Sequence, residues 1–206
     1  MTDIESVYAA ERDLLVGQLR GLTDAEWASP SLCDGWSVRD VTAHLLMPYE
    51  LSFRGFVVGL LRARFRFDRF ADRWARADSR TGHQLVDAVA ATTASGFNVP
   101  GAGETAPLSH LFLHAQDIRA PLDLPAEATV EGGRRVLDDL TQGKRGVDAA
   151  KREGLHLLAT DIDWSTGLGG PTVTGPAAVL ASALMNRSAS AARLEGSGAD
   201  RFRSRF

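Results

Sequence analysis

The stretch HLFLHAQDIRAPL, residues 110–122, places two histidines four positions apart and ends just after a proline. In an α-helix, residues at i and i+4 lie on one face, separated by about 6 Å of rise. The imidazoles of His110 and His114 can therefore reach one ion at about 2.0–2.1 Å, a spacing that metalloenzymes use. Two polar residues on an ordinary helix share this spacing, so the surroundings decide between the two interpretations.

The surroundings of the pair favour burial. Its apolar neighbours are Leu108, Leu111, Phe112 and Ile118. His44 lies in a second apolar helical stretch, and neighbouring helices of a four-helix bundle can direct such side chains into one central site. Three neutral imidazoles leave coordination positions open, as in catalytic metal sites. The sequence therefore predicts a metal site formed by His44, His110 and His114, whereas His83 and His156 lack a comparable context.

Hydrophobic periodicity and capping signals predict four helices in residues 1–122. The first covers residues 3–21, the second follows the N-cap Ser37, the third starts near Thr81, and the fourth starts near Pro107 and ends before Pro121. A proline inside a helix removes a hydrogen bond, so Pro48 is expected to kink or break the second helix. These helices predict a four-helix bundle.

Residues 123–206 have a different pattern and predict a small α+β segment packed on the bundle. A helix is expected over residues 128–142. GLHLLATDIDW and PTVTG, joined by STGLGG, indicate a β-hairpin, and GPAAVLASALMNR indicates a closing helix. The expected fold class is mainly α, with a four-helix bundle in residues 1–122 and this segment in residues 123–206.

Composition narrows the expected partners and location. The net charge of −3 and a pI near 5.9 give no general reason to expect a polyanionic partner such as nucleic acid. The single cysteine, Cys33, excludes an intramolecular disulfide and suits a reducing cytosol. No window has the 18 apolar residues of a membrane span, and the N-terminus does not resemble a signal peptide. We expect a cytoplasmic monomer or homodimer with no membrane partner.

Residues 51–76 contain seven arginines interspersed with phenylalanines. This composition fits a basic amphipathic helix that binds a membrane or nucleic acid. Asp68 and Asp72 interrupt the basic pattern, and the whole chain is acidic. The sequence therefore favours a solvated helix face with an arginine rim around the site entrance.

Three further residues near the histidines are candidates for chemistry. Asp117, three positions after His114, can accept the ring N–H of a ligand or move a proton; the alternative is a salt bridge to Arg119 or another arginine. Arg119 can bind a carboxylate of substrate or cofactor, although a structural pairing at the helix end is slightly favoured. Cys33 precedes a helix that could lower its pKa, but an inert, half-buried thiol is the favoured interpretation.

LCDGWSVRDVTAHLL, residues 32–46, and PLSHLFLHAQDIRAPL, residues 107–122, resemble the mycothiol-dependent maleylpyruvate isomerase family, within the DinB/YfiT-like superfamily of metal-binding four-helix bundles. The later LHLLATDIDW and VTGPAAVLASAL also resemble the tail of its shorter members. The resemblance implies that His44 and His114 are metal ligands. His110 matches a third ligand that is often Glu in the family and often His in the wider superfamily.

The resemblance implies a metal-dependent enzyme that uses mycothiol. A mycothiol thiolate would add to the double bond of a small electrophilic substrate, in cis–trans isomerisation, or would displace a leaving group, in thiol transfer. Zinc is the expected ion, and nickel and iron also accept imidazole. Two alternatives stay open: a non-enzymatic metal-binding bundle that senses, stores or scaffolds, and a metal-dependent hydrolase with Asp117 as the general base.

Overall fold

The computed structural model describes residues 3–142, 149–167 and 169–206, and these are mainly helical. Its α-helices are α1 (Ile4–Leu19), α2 (Asp24–Ala28), α3 (Val38–Glu50), α4 (Phe53–Arg62), α5 (Phe67–Ala77), α6 (Gly82–Ala90), α7 (Ala106–Arg119), α8 (Val130–Gln142), α9 (Ala177–Leu184), α10 (Ser188–Ala192) and α11 (Ala199–Arg203). The strands are β1 (His156–Ala159), β2 (Ser165–Thr166) and β3 (Thr172–Gly175). None of the described helices is both long enough and apolar enough to cross a membrane.

Helices α1, α3, α6 and α7 form the predicted four-helix bundle. Helix α1 contacts α6 and α7, and α3 contacts the same two helices, so the four form a closed ring. Ser37 and Thr81 begin α3 and α6 as capping boxes, in which the cap hydroxyl accepts the backbone N–H three residues later. Pro107 lies in the first turn of α7, where its missing N–H costs nothing.

Helix α3 does not break at Pro48, so that part of the sequence prediction is wrong. The helix continues to Glu50, and the backbone N–H of Leu51 donates to the carbonyl of Met47. A proline removes a single i→i−4 bond, to the carbonyl of His44 here. Only the last short turn lies beyond Pro48, and the proline is buried in the protein interior. Packing therefore outweighs the local penalty.

The arginine-rich residues 51–76 form two separate helices, α4 and α5, between the second and third helices of the bundle. Helix α4 has no fully buried residue, although six of its ten residues are Phe, Val or Leu. Helix α5 packs on α3 through Phe70 and Ala71. The chain turns between them at Arg64 and Phe65, which both have positive φ. This pair extends the bundle beside the end of α3.

The predicted hairpin between GLHLLATDIDW and PTVTG is wrong. Strand β1 pairs antiparallel with β2, while β3 lies on its other side and runs parallel to it. The chain reverses direction twice between β1 and β3, first over residues 160–164 and again after β2. Gly167, at φ 83°, lies in the second reversal, and a Cβ there would come within 2.1 Å of the Leu155 carbonyl oxygen. Leu168, part of the predicted linker, lies outside the described residues.

Helix α7 is shared by two hydrophobic cores. Leu111 and Ile118 pack into the core of the bundle. Leu108 and Phe112, on another face, pack into a second core formed with α8, the sheet and α9. A helix that is buried on several faces needs apolar residues all round, which explains the dense apolar sequence around the histidines. The C-terminal segment thus covers the side of α7 that the bundle leaves exposed.

Candidate metal centre

The structure brings His44, His110 and His114 together, and we call them the histidine cluster. His44 lies on α3 and the other two on α7, a neighbouring helix of the bundle. One nitrogen from each ring lies within 4.8 Å of the others, and the Nε2 atoms of His44 and His110 are 3.3 Å apart. His83 and His156 do not belong to this group. The convergence expected from the sequence is therefore present.

Burial keeps two of these imidazoles neutral. Burial, followed by the neighbouring His114, lowers the pKa of His44 to about 3. The pKa of His110 also lies well below its ordinary value, through burial and the two other histidines. Neutral imidazoles keep the lone pair that a metal ion binds. Three close rings with no anion between them are a donor set that fits a divalent cation.

A carboxylate fixes the orientation of His114. Its Nδ1–H donates to Asp117 Oδ2 over 2.9 Å, which leaves Nε2 as the ring nitrogen available to an ion. Asp117 has no exposed surface. In protein metal sites a ligating histidine usually donates its second N–H to such a carboxylate. The donor geometry around His114 therefore supports the metal assignment.

Asp117 is also paired with Arg187, which the sequence analysis did not identify. The guanidinium donates from Nε to Oδ1 over 2.9 Å and from Nη2 to Oδ2 over 2.7 Å. Burial alone would raise the pKa of Asp117, but the hydrogen bonds from His114 and Arg187 outweigh it and hold that pKa well below its ordinary value. Both expected partners, a cluster histidine and an arginine, are thus present, although the arginine is not Arg119.

Arg119 does not contact the histidine cluster. It is 1% exposed, and its guanidinium donates to the side chain of Gln18 and to the carbonyl of Glu127. It lines none of the described cavities that border His44, His110 or His114. These contacts match the structural pairing that the sequence left open. They give no support to a substrate- or cofactor-binding role, because a ligand cannot reach a side chain that is buried between α1 and the residues after α7.

Cys33 lies behind His114 as part of the same polar group. Its thiol donates to Asp117 Oδ2 over 3.2 Å, and its sulfur is 3.9 Å from His114 Nδ1. Burial, followed by the negative charge of Asp117, raises the pKa of the thiol to about 12. The thiol is therefore protonated at neutral pH, which agrees with the predicted inert cysteine. The helix that follows does not activate it.

Two cavities meet at the histidine cluster. The apolar cavity, of about 500 Å³, is lined by all three histidines and by a wall that includes Met47, Leu51, Phe53, Phe56, Phe67 and Val99. The polar cavity, also of about 500 Å³, is lined by His44 and His114 together with Asp34, Asp68, Arg69 and Asp72. Of the seven arginines in residues 51–76, Arg69 alone lines either cavity. For the other six, the arginine rim around the site entrance stays a prediction.

The fold and the cluster define a helical bundle with a candidate metal site at its centre. The chain matches the family model described as the mycothiol maleylpyruvate isomerase N-terminal domain, over residues 8–153, and it belongs to that family. This match confirms the resemblance seen in the two motifs. Comparisons with curated proteins and with solved structures returned no significant match.

Proposed function

We propose that this protein is a metal-dependent enzyme that uses mycothiol to isomerise a small electrophile or to transfer the thiol to it. The observation that carries the proposal is the convergence of three imidazole nitrogens at the point where two cavities meet. The family match supports a role for mycothiol. His44, His110 and His114 would hold the ion, with zinc expected and nickel or iron as alternatives.

The ion would hold the cofactor sulfur as a thiolate near neutral pH, because three neutral ligands leave its full positive charge in place. The protein supplies the orientation. Asp117 holds the His114 ring, and Arg187 holds both oxygens of Asp117. We therefore assign Asp117 as a positioning residue, since its oxygens are already engaged by His114, Arg187 and Cys33. Its predicted role in moving a proton stays a prediction.

The reaction needs no oxidant. In isomerisation, the thiolate sulfur would bond to one carbon of the double bond while the π electron pair moves onto the conjugated electron-withdrawing group of the substrate. The remaining single bond would rotate, and return of that pair would expel the thiolate and restore the alkene. In transfer, the sulfur–carbon bond is kept and a leaving group departs with the electron pair of its bond. The apolar wall formed by residues such as Met47, Leu51 and Phe56 excludes water, which protects the thiolate and the adduct from competing protonation.

A hydrolase, which would use the same histidines with a bound water, is less favoured. It would need a general base near the water. Asp117 is the acidic residue closest to the cluster in sequence, but Arg187 holds both its oxygens and its pKa is low. A low pKa makes a weak base. The thiol-dependent reaction does not require this group to change its protonation state.

Metal content and mycothiol binding test the proposal together. Elemental analysis of the purified protein should find about one divalent ion per chain, and mycothiol should raise the melting temperature of the metal-loaded protein. His114→Ala should lose both properties, whereas His156→Ala, a histidine outside the cluster, should retain both. A protein that holds the ion but ignores mycothiol would instead favour a non-enzymatic metal-binding bundle.

A further inference from the structure

We infer that the apolar cavity receives a neutral electrophile that carries an alkyl or aryl group. This inference rests on the proposed function and names the substrate class of the same site. The polar cavity, on the other side of His44 and His114, would then receive the hydroxyl-rich sugar portion of the thiol cofactor. The two reactants would reach the cluster from different sides.

The apolar cavity is walled by side chains from four separate parts of the chain, one of which is α5 through Phe67. Met47 and Leu51 come from the end of α3, Phe53 and Phe56 from α4, and Val99 from the loop before α7. Independent segments thus direct apolar groups toward one space above the histidines. Such a wall, with few polar groups at its base, is the usual form of a site for an apolar small molecule.

Several of these apolar side chains are open to solvent at the cavity mouth. Phe53 is 69% exposed, Phe67 is 49% exposed and Val99 is 42% exposed. Exposed apolar side chains that adjoin one another are uncommon on protein surfaces unless a ligand or partner covers them. A ligand that extends from the histidines to the mouth would cover all three.

The charges around the cluster are arranged so that no cation faces this cavity. Among the described residues that line it, none is Lys, Arg, Asp or Glu. Of the arginines nearby, Arg76 pairs with Asp72 and donates to the carbonyl of Gly35, and Arg69 lines the polar cavity. A carboxylate placed beyond the histidines would lose hydration and meet no cation among the described lining residues, where Asn98 is the polar side chain other than the histidines, and such a loss is costly.

This arrangement disfavours the compound that the family description names. Maleylpyruvate carries two carboxylates, and only one could lie near a metal ion in the cluster. The second would enter the apolar cavity unpaired. The polar cavity differs, because Asp34, Asp68, Arg69 and Asp72 provide donors and acceptors for hydroxyl groups.

A matched pair of non-reactive probes tests the inference. The first is 4-phenylbutan-2-one, a neutral ketone that carries a phenyl group, and the second is the same ketone with a carboxylate at the para position of the ring. Binding to the full-length protein would be measured by calorimetric titration, before and after removal of metal with a chelator. We expect the neutral probe to bind about tenfold more tightly or better, because the carboxylate would lose hydrogen bonds to water without replacement.

A second series measures the contribution of apolar contact. Affinity for butan-2-one, hexan-2-one and octan-2-one should rise about threefold to fourfold for each added methylene until the cavity is filled. A series in which affinity does not change with chain length would overturn the inference. Equal binding of the neutral and carboxylate probes to the chelated protein would overturn it as well.

Two valine variants provide the control for charge. Val99→Arg places a cation at the cavity, and we expect it to reduce the preference for the neutral probe by about fivefold, within the range of an exposed ion pair. Val57→Arg adds the same charge on α4 at a side chain of similar exposure, 39% against 42%, that does not line the cavity. It should leave the preference unchanged. Equal effects of the two variants would contradict the assignment of the cavity.

These measurements distinguish failure of the proposed substrate class from failure of the proposed function. Probe binding to chelated protein depends on neither metal nor mycothiol, so it can succeed where the proposed function fails. If metal and mycothiol bind but the carboxylate probe binds as well as the neutral one, then the proposed function survives and the substrate class is wrong.

Discussion

His44 and His114 belong to the same cluster, but the structure supports them by different means. His114 donates to a buried carboxylate, which is in turn held by Arg187 from the C-terminal segment. His44 is 7% exposed, and its Nδ1 has no hydrogen-bond partner among the described residues. It is held by packing, with the Trp36 ring 5.0 Å away. One imidazole of the cluster is therefore oriented by charge and the other by packing.

The difference shows which part of the chain holds each of the two imidazoles in position. His44 needs only the bundle, because α3 and its capped N-terminus place it there. His114 depends on contacts that cross from the bundle to the segment after α9, through Asp117 and Arg187. The domain division after residue 122 stays a prediction, and we propose that the two parts are coupled at this ion pair.

The largest expected effect is a loss of metal binding, which the His44 and His114 variants should combine with different changes in stability. His44→Leu should abolish tight metal binding, because two imidazoles remain from three. It should change the free energy of unfolding of metal-free protein by less than about 1 kcal/mol, since it removes the unpartnered Nδ1 and, among the described residues, only the one polar contact with His110 Nε2. His114→Leu should abolish metal binding and also destabilise the metal-free protein. Metal titration and urea denaturation would measure the two properties. Equal stability loss in both variants would remove the distinction.

The next largest effect concerns the ion pair itself. Asp117→Ala leaves Arg187 partly buried without its counter-ion, and breaking a buried pair from one side costs about 3–5 kcal/mol. We expect the lower end of that range, because the arginine side chain retains 20% exposure. Glu131→Ala, which breaks a more exposed pair with Arg135, is the control and should cost less than about 1 kcal/mol. Urea midpoints would compare them.

The third prediction concerns the effect of Arg187, in the C-terminal segment, on metal affinity. Arg187→Gln should weaken metal binding by about tenfold to a hundredfold, the usual effect of losing a partner that orients a ligand. Arg187→Lys should recover part of the loss, because it keeps the charge but not the two-point contact. Competition with a chelator of known affinity would measure both. Unchanged affinity in the Gln variant would show that the two parts of the chain act independently.

The pH dependence of stability provides a fourth test. Asp117 has a folded pKa held below its unfolded value of about 3.9, so its stabilising contribution is fully present above that value and is lost as the pH falls through the folded pKa. The difference in unfolding free energy between the wild type and Asp117→Asn, both metal-free, should stay constant from pH 7 to pH 5 and shrink in stronger acid. A difference that grows in acid would reverse the assigned sign.

The smallest effect is expected at Cys33. Cys33→Ala removes a protonated thiol that donates to Asp117, while His114 and Arg187 still satisfy both oxygens of that carboxylate. Stability should change by less than about 1 kcal/mol, and the rate of thiol transfer should fall less than twofold. A large loss of rate with normal metal content would show that the thiol takes part in the chemistry.

The sequence was sufficient for the bundle and for the cluster. Amphipathic periodicity and capping residues such as Ser37 and Thr81 act over one or two helical turns. The helices can therefore be predicted from local sequence without knowledge of tertiary contacts. The spacing of His110 and His114 is equally local. His44 could be assigned to the same cluster because it lies among apolar residues on a second helix. Such a helix face packs toward the interior, where a buried imidazole needs a polar partner.

The tertiary structure alone decided the rest. Arg187 lies 70 residues beyond Asp117, and no local pattern links them. The helix through Pro48 and the parallel pairing of β1 with β3 are likewise set by packing that outweighs short-range preference. The sequence alone does not show whether Arg119 or Arg187 pairs with Asp117. Only the packing of α1 and of the segment after α9 determines which guanidinium reaches the carboxylate, because burial and partner distance are properties of the folded chain.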